Sequence, residues 1–283
     1  MSKLKVAELF YSIQGEGRYM GVPSVFLRVF GCNFKCEGFG MSRGEKSNER
    51  FSVDPDSIKH YKDLPLVHTG CDSYASWDSR FKHLSPTLST DSIADAIMDM
   101  LPHQKWEDEH LVITGGEPLL GWQKQYPDLL NNPKMNRLRE LTFETNGTQE
   151  ISKEFGSYLH DWAYHHDFDF FREITFSVSP KLTNSGEDWD DAICPEIVAS
   201  YEDIGTVYLK FVISTEEDYK DAERAIAEYR KAGFDGHVYL MPVGGTEQLY
   251  NLNNRAVAEI AMRNGYRYSD RLQIPLFKNA WGT

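Results

Sequence analysis

The sequence predicts an α/β fold in which about six strand–helix units build a partial (β/α)6 barrel. Apolar, strand-like segments recur along the chain, and segments with a helical period of apolar residues lie between them. Strands that alternate with helices pair in parallel through right-handed crossovers, so the sheet is either doubly wound or curled into a barrel. The 283 residues, 41% of them hydrophobic, are enough for one domain with a sizeable core.

The strands are predicted from short runs of β-branched and aromatic residues bounded by turn-forming residues. The first two flank the Gly-rich segment QGEGRYMGVP. The predicted strands are LKVAELFYS (4–12), SVFLRVFG (24–31), HLVITGG (110–116), ELTFETNG (140–147), EITFSVSP (173–180), TVYLKFVIS (206–214) and HVYLMPV (237–243).

Three helices are predicted from apolar residues that repeat on one helical face. They span 90–101, 216–232 and 254–264, and the last two are each followed by a glycine that can end a helix, Gly233 and Gly265.

The segment 37–70 interrupts this alternation and is predicted to be an inserted loop. It is polar, contains several glycines and lacks a sustained period. A short helix after Pro55 is its only expected local structure, and no core element is expected in it. A second irregular stretch, 182–191, is acidic.

The composition excludes several classes of function. A formal net charge of −13 and a pI near 5.2 argue against a broad nucleic-acid interface, which needs clustered Lys and Arg. No apolar run of ~18 residues predicts a membrane span, and the N-terminal segment lacks a signal-peptide pattern. We therefore expect a cytoplasmic protein with a small-molecule or protein partner, whose four cysteines serve ligation or packing.

The cysteines are placed where active-site groups gather. Cys32 and Cys36 directly follow a predicted strand, and Cys71 follows Cys36 after 34 residues. The spacing alone leaves three possibilities open: buried apolar thiols, an iron–sulfur site, or a zinc site. His68, three residues before Cys71, keeps the zinc site possible, whereas Cys194 is distant in sequence.

The motif Thr114-Gly115-Gly116-Glu117-Pro118 directly follows the apolar residues HLVI (110–113) of a predicted strand and includes the end of that strand. Its two glycines would let the backbone approach a ligand closely, and Glu117 offers an acceptor for an ammonium group. By itself, Gly-Glu-Pro is also an ordinary turn.

Taken together, the motifs resemble the radical S-adenosylmethionine (SAM) superfamily and, within it, the 7-carboxy-7-deazaguanine synthase family. They occur in family order over nearly the whole chain: FYSIQGEG (10–17), GVPSVFLRVFGCN (21–33), TGGEP (114–118), FETNGT (143–148), SVSPK (177–181) and YLMP (239–242). The resemblance implies a single radical SAM domain over 1–283, with 37–70 inserted between the second and third cluster cysteines.

The same resemblance implies a carbon–nitrogen lyase with a [4Fe–4S] cluster, SAM and Mg2+. The implied reaction is a ring contraction of 6-carboxy-5,6,7,8-tetrahydropterin to 7-carboxy-7-deazaguanine with release of ammonia, in queuosine-type deazapurine biosynthesis. A homodimer and an electron donor such as flavodoxin or ferredoxin are further family expectations.

The resemblance also assigns site residues. The cluster ligands would be Cys32, Cys36 and Cys71, and Ser73 would ligate Mg2+. The substrate contacts would be Ile13, Gln14, Gly15, Glu16, Arg28, Thr114 and Thr283. The SAM contacts would be Gly70, Cys71, Asp72, Gly116, Glu117, Glu144, Ser179, Pro180, Lys181, Met241, Pro242, Val243 and Gly244.

Each assignment has a structural alternative. The QGEG segment can be a turn between strands, Arg28 a solvated strand residue and Ser73 a turn hydroxyl. Met241 and Val243 can simply pack in the core. His165 and His166 beside Asp167 look like metal ligands, but a solvated acidic face is the preferred interpretation.

Three features depart from the family pattern. Relatives place the second and third cysteines close together, whereas 34 residues intervene here, so the insertion is expected to loop out and leave the cluster geometry intact. Many relatives have Thr at the position of Ser73, and a His is expected at the position of Gln273.

Two other functions fit part of the sequence. An activating enzyme for a glycyl-radical partner would share the cysteines and the SAM site but would have no use for a pterin site. A structural zinc module would bind its ion with Cys32, Cys36, Cys71 and His68.

Overall fold

The computed structural model describes residues 2–164 and 170–283, so His165, His166 and Asp167 lie outside the described residues. Nine strands in these ranges form one sheet. They are β1 (Lys3–Ile13), β2 (Pro23–Val29), β3 (Thr87–Ser89), β4 (His110–Gly115), β5 (Glu140–Thr145), β6 (Glu173–Val178), β7 (Thr206–Ile213), β8 (His237–Pro242) and β9 (Arg267–Tyr268). All seven predicted strands are confirmed. The other two, β3 and β9, were not predicted, because they are too short to show a recognisable period of apolar residues.

The sheet is mostly parallel, and its order is β3-β1-β2-β4-β5-β6-β7-β8-β9. Strand β1 pairs antiparallel with both β2 and β3, and every pair from β2 onward is parallel. The sheet is open, because β3 and β9 stand at its two ends. The α/β class is therefore confirmed, and the carboxyl ends of the parallel strands gather at one edge.

Eight α-helices occur in the described ranges, and none is long and apolar enough to cross a bilayer. They are α1 (Thr90–Met100), α2 (Tyr126–Leu130), α3 (Lys153–Ala163), α4 (Trp189–Ala192), α5 (Pro195–Tyr201), α6 (Glu216–Lys231), α7 (Glu247–Asn264) and α8 (Gln273–Phe277). The three predicted helices are confirmed, although α7 begins seven residues earlier than expected. A capping box between Thr215 and Asp218 fixes the start of α6.

The two faces of the sheet have different compositions, because side chains alternate along a strand. On β5 and β6, Phe143 and Phe176 are buried in the main core and stack with ring centroids 5.6 Å apart. Their neighbours Glu144 and Ser177 are paired in register on the opposite face. One face therefore packs against the helices, and the other is free to build a polar site.

The segment 37–70 contains 3-10 turns but no strand or α-helix. The helix expected after Pro55 is the 3-10 turn Pro55–Ser57. The expectation that the segment has no core element is wrong. Its apolar side chains form a second small core with residues that follow Cys71; the buried members are Val53, Leu64, Val67, Tyr74, Ala75 and Phe81. The sequence did not predict this core, because the segment is mostly polar and its few apolar residues do not repeat with a regular period.

We expect Phe143→Ala to lower the free energy of unfolding by about 3–5 kcal/mol, because it leaves a cavity at the centre of the main core. Chemical denaturation of the apoprotein measures this change. Phe171→Ala is the matched control, since Phe171 is 93% exposed and its removal should change stability by less than ~0.5 kcal/mol. Equal effects of the two substitutions would contradict the assigned core.

Candidate active site

A cavity of about 270 Å3 opens at the carboxyl edge of the sheet. Strand β1, the loop after β2, the Cys71 segment and the C-terminus all line it, together with side chains from each parallel strand between β2 and β8. All the site residues predicted from sequence line this cavity except Glu117, Pro180 and Pro242. Residues from distant parts of the chain thus meet where ligands bind in parallel α/β sheets.

The three cysteines lie together on one wall of the cavity. Cys32 and Cys36 occupy the loop after β2, and Cys71 is brought to the same wall by the return of the insertion. The carboxylate of Glu187 accepts hydrogen bonds from the backbone N–H groups of Lys35 and Cys36, at 2.8 and 2.6 Å. Glu187 therefore fixes the turn that presents Cys36, whose φ is +49°.

The thiols lie in an apolar environment. Phe34, Ala192 and Phe39 pack around them. Burial raises the pKa of all three thiols, that of Cys32 to about 12. Such thiols ionise readily only when a cationic group, such as iron, compensates for the burial.

The geometry does not favour the single-ion zinc alternative. Within 2–164 and 170–283, no three His, Cys, Asp or Glu side chains converge on one metal position. Nδ1 of His68 is hydrogen-bonded to the hydroxyl of Thr246 at 3.0 Å. A [4Fe–4S] cube would take one thiolate on each of three irons, so it would need no common ion position.

The two glycines of the TGGEP motif allow close packing against the end of β2 and the loop that follows it. A Cβ on Gly115 would lie 2.3 Å from the carbonyl oxygen of Val29. A Cβ on Gly116 would lie 2.3 Å from the carbonyl oxygen of Gly31 and 2.6 Å from Cβ of Cys32. Any side chain at either position would displace the loop that carries Cys32.

Glu117 does not line the cavity, so its predicted contact with the amino group of SAM does not fit its position. The carboxylate is completely buried and accepts hydrogen bonds from Leu119 N at 3.0 Å, Thr145 Oγ1 at 2.8 Å and Asn146 N at 2.7 Å. Burial raises its pKa, and these hydrogen bonds oppose that effect. Glu117 therefore joins the loops after β4 and β5 from behind the cavity wall.

Pro180 and Pro242 are also buried behind the wall rather than on it. Ser179 and Lys181, which flank Pro180, do line it, and Nζ of Lys181 donates to the carbonyl and hydroxyl oxygens of Ser179 at 2.9 and 3.0 Å. The two prolines restrict the backbone path, because their rings fix φ where β6 and β8 lead into the loops that follow them.

Arg28 lies on β2 between two partners. Its Nε donates to the carboxylate of Glu8 at 3.0 Å, and its Nη1 donates to the hydroxyl of Ser73 at 3.2 Å. Burial raises the pKa of Glu8, and the charge of Arg28 partly offsets this. Arg28 is therefore held at the cavity by a buried carboxylate and is not a solvated strand residue.

A group of buried charges surrounds Glu16, at the end of β1. One carboxylate oxygen accepts from Arg271 Nε at 3.1 Å and from Gln273 Nε2 at 2.8 Å, and the other pairs with Nζ of Lys210. Burial alone would raise the pKa of Glu16, but the charges of Lys210 and Arg271 outweigh it and lower the pKa. Glu16 is therefore held as a carboxylate.

Arg271 extends this group to the segment that carries Cys71. Its Nη2 is 2.5 Å from the carboxylate of Asp72, and its Nη1 donates to the carbonyl oxygen of Gly244. Burial acts to raise the pKa of Asp72, yet the charge of Arg271 lowers it. One guanidinium thus links Glu16, the segment that carries Cys71 and the loop after β8.

Sequence patterns did not identify Lys210 or Arg271 as site residues. Lys210 stands within the apolar run of β7, and a charged residue in a buried strand is a signal that could have indicated it. Arg271 lies in an irregular segment without a motif, so no local signal indicates it.

The C-terminal residues close one side of the cavity. The indole of Trp281 packs against Tyr61 and Tyr74, with ring centroids 5.7 and 5.6 Å apart. Gly282 and Thr283 then line the cavity. The small core of the insertion therefore anchors the C-terminus at the site.

No protein-family model matches the chain. A 7-carboxy-7-deazaguanine synthase from Halobacterium salinarum is 31% identical over 98% of this chain and 91% of its own length. One from Pyrobaculum aerophilum is 26% identical over 99% of this chain and 97% of its own length. Similarity to these curated relatives thus extends over nearly the full chain.

A solved structure, that of QueE from Escherichia coli, has a similar fold. It aligns with a TM-score of 0.52 over 94% of this chain and 93% of that chain, at 20% sequence identity. The alignment supports the α/β architecture with its large, mostly parallel sheet.

The charges around Glu16 predict a pH dependence of stability. The pKa values of Glu16 and Asp72 are lowered from ordinary values of 4.5 and 3.8, so their stabilisation is complete above about pH 4.5 and is lost as the pH falls below it. Glu16→Gln should therefore show a smaller fall of Tm than the unchanged protein between about pH 6 and about pH 3.5. Glu45→Gln, at an exposed site, should follow the unchanged protein. Parallel pH profiles for Glu16→Gln and the unchanged apoprotein would contradict the assignment.

Proposed function

The chain belongs to the 7-carboxy-7-deazaguanine synthase family, and on that premise we propose that it converts 6-carboxy-5,6,7,8-tetrahydropterin to 7-carboxy-7-deazaguanine. The reaction is a radical SAM ring contraction with release of ammonia, catalysed by a carbon–nitrogen lyase. One observation carries the proposal: a single cavity is lined both by three thiols and by a carboxylate and a guanidinium that are each held in place by an ion pair.

Cys32, Cys36 and Cys71 hold the [4Fe–4S] cluster in this proposal. Gly116, Glu144, Ser179, Lys181 and the backbone of 241–244 form the SAM site. When bound, the cluster and SAM supply an electron and a 5′-deoxyadenosyl radical. The close packing of Gly116 on the Cys32 loop supports this arrangement, because it sets the cluster segment directly beside the SAM segment.

The substrate is oriented by the opposite wall. Arg28 binds the pterin carboxylate, since its guanidinium is already directed into the cavity by Glu8. Glu16, with Gln14, accepts from the N–H edge of the pterin, and Lys210 and Arg271 keep Glu16 ionised for that contact. Ile13, Gly15, Thr114 and Thr283 complete the enclosure.

Mg2+ is proposed at Ser73. The hydroxyl of Ser73 lies 3.3 Å from a carboxylate oxygen of Asp72, and both are hard oxygen donors of the kind that magnesium prefers. Arg28 also reaches this hydroxyl, so the ion and the substrate carboxylate would share one corner of the cavity.

The remaining expectations are proposals of the same kind. The chain forms one radical SAM domain whose open sheet curves as a partial (β/α)6 barrel around the cavity. The enzyme acts in the cytoplasm as a homodimer, receives electrons from flavodoxin or ferredoxin, and supplies a queuosine-type deazapurine pathway. The sequence of parallel strands and the position of the cavity at their carboxyl edge support the barrel.

The function is tested by anaerobic reconstitution with iron and sulfide, followed by incubation with SAM, reductant, Mg2+ and the carboxy-tetrahydropterin. Mass spectrometry should detect 7-carboxy-7-deazaguanine, and ammonia should form in equal amount. Omission of the pterin is the control. Formation of 5′-deoxyadenosine without any deazaguanine, from protein that holds a complete cluster, would refute the proposed reaction.

The cluster assignment gives a separate prediction. Cys71→Ala should lose the cluster as completely as Cys32→Ala, because no other side chain can replace the missing thiolate. Cys194→Ala is the matched control, since Cys194 does not line the cavity and should be dispensable. Iron content and the visible absorption of reconstituted protein measure both. A full iron complement in Cys71→Ala would exclude Cys71 as a ligand.

A further inference from the structure

The insertion 37–70 returns to the site through side-chain contacts that it makes itself. We propose that Ser47, Glu49 and Arg50, termed the clamp, hold the Cys36 and Cys71 segments together before any cluster is bound, an inference that rests on the cluster ligation proposed above. The clamp replaces the expectation that the insertion merely loops out. It consists of positioning residues, none of which is a ligand.

Glu49 fixes the chain just before Cys71. Its carboxylate accepts from the backbone N–H of His68 at 2.9 Å and of Thr69 at 2.8 Å. It also accepts from the hydroxyl of Thr69 at 3.0 Å. These are charge-assisted hydrogen bonds to a segment without regular secondary structure, so they set its backbone path.

Arg50, the residue after Glu49, pairs with residues that follow Cys36 and Cys71. Its Nη1 pairs at 2.7 Å with Glu37, the residue after Cys36, and its Nε pairs at 3.2 Å with Asp78. The side chain of Arg50 is only 11% exposed and lies against the rings of Phe51 and Trp77. Both contacts are therefore shielded from solvent, which strengthens them relative to surface ion pairs.

Ser47 contacts both cysteine segments. Its backbone N–H donates to the carbonyl oxygen of Glu37 at 2.7 Å, and its hydroxyl is 2.7 Å from that of Thr69. Next to this contact, Gly70 N–H donates to the carbonyl oxygen of Phe39 at 2.7 Å. The two segments are thus joined directly, within two residues of Cys71 and three of Cys36.

The need for a clamp follows from chain entropy. Thirty-four residues separate Cys36 from Cys71, and closing such a loop has an entropic cost that a cluster would otherwise have to offset alone. No strand pairs the two ends, so their closure depends on the one backbone hydrogen bond between Gly70 and Phe39 and on the contacts of the clamp. With the clamp, the thiols are positioned in the apoprotein, and less of the binding free energy of the cluster is spent on ordering the loop.

Glu49→Ala tests the clamp, with Glu45→Ala as the matched control at an exposed glutamate of the same insertion. In the apoprotein, hydrogen exchange of the His68 and Thr69 amides should become roughly tenfold faster or more in Glu49→Ala only. After reconstitution, iron should be lost to a chelator roughly tenfold more readily from Glu49→Ala than from Glu45→Ala. If Glu49→Ala does not fold, Glu49→Asp, which keeps the charge but shortens the reach, gives the same comparison.

Unchanged exchange in the variant, or faster exchange with unchanged iron retention, would overturn the clamp. Cys71→Ala is measured in parallel. If it also retains iron, the proposed cluster ligation itself is wrong. If it loses iron while the Glu49 variants behave like Glu45→Ala, only the clamp is wrong.

Discussion

Four charges, buried or partly buried, tie the cavity together: Glu16, Lys210, Arg271 and Asp72. They come from the loop after β1, from β7, from the segment before α8 and from the turn after Cys71, which are mostly remote from one another in sequence. Two carboxylates against two cations leave no net charge, and burial of any one without its partners would be strongly unfavourable. The relative positions of these four segments are therefore interdependent, and the wall around Glu16 cannot shift without the segment that carries Cys71.

This network is possible because the parallel sheet separates its faces. Alternation along β5, β6 and β7 directs aromatic side chains into the helix-covered core and directs Glu144, Ser177 and Lys210 to the cavity. At the carboxyl ends of the strands, loops follow that pack closely through glycines and buried hydrogen bonds rather than through large side chains. Gly116 packs on the Cys32 loop, and the carboxylate of Glu117 accepts a hydrogen bond from Asn146 N in the loop after β5, so both loops are held in position.

The insertion contributes to the site in two ways. Its polar residues join the two cysteine segments, and its small core holds Trp281 so that the C-terminus closes the cavity. The insertion thus fixes the positions of the two cysteine segments. In a chain without the insertion, a short loop between the cysteines would fix them.

The sequence by itself determined the seven main strands, three long helices, the site motifs and the family. Local periodicity and ordered motifs carry that information, because they depend on neighbours along the chain. Only the tertiary structure showed that Glu117 lies behind the wall, that Lys210 and Arg271 neutralise Glu16, and that the insertion has its own core. Those facts depend largely on contacts between residues far apart in the sequence, such as Glu117 with Asn146, 29 positions apart, and Glu16 with Arg271, 255 positions apart, for which a single sequence contains no local signal.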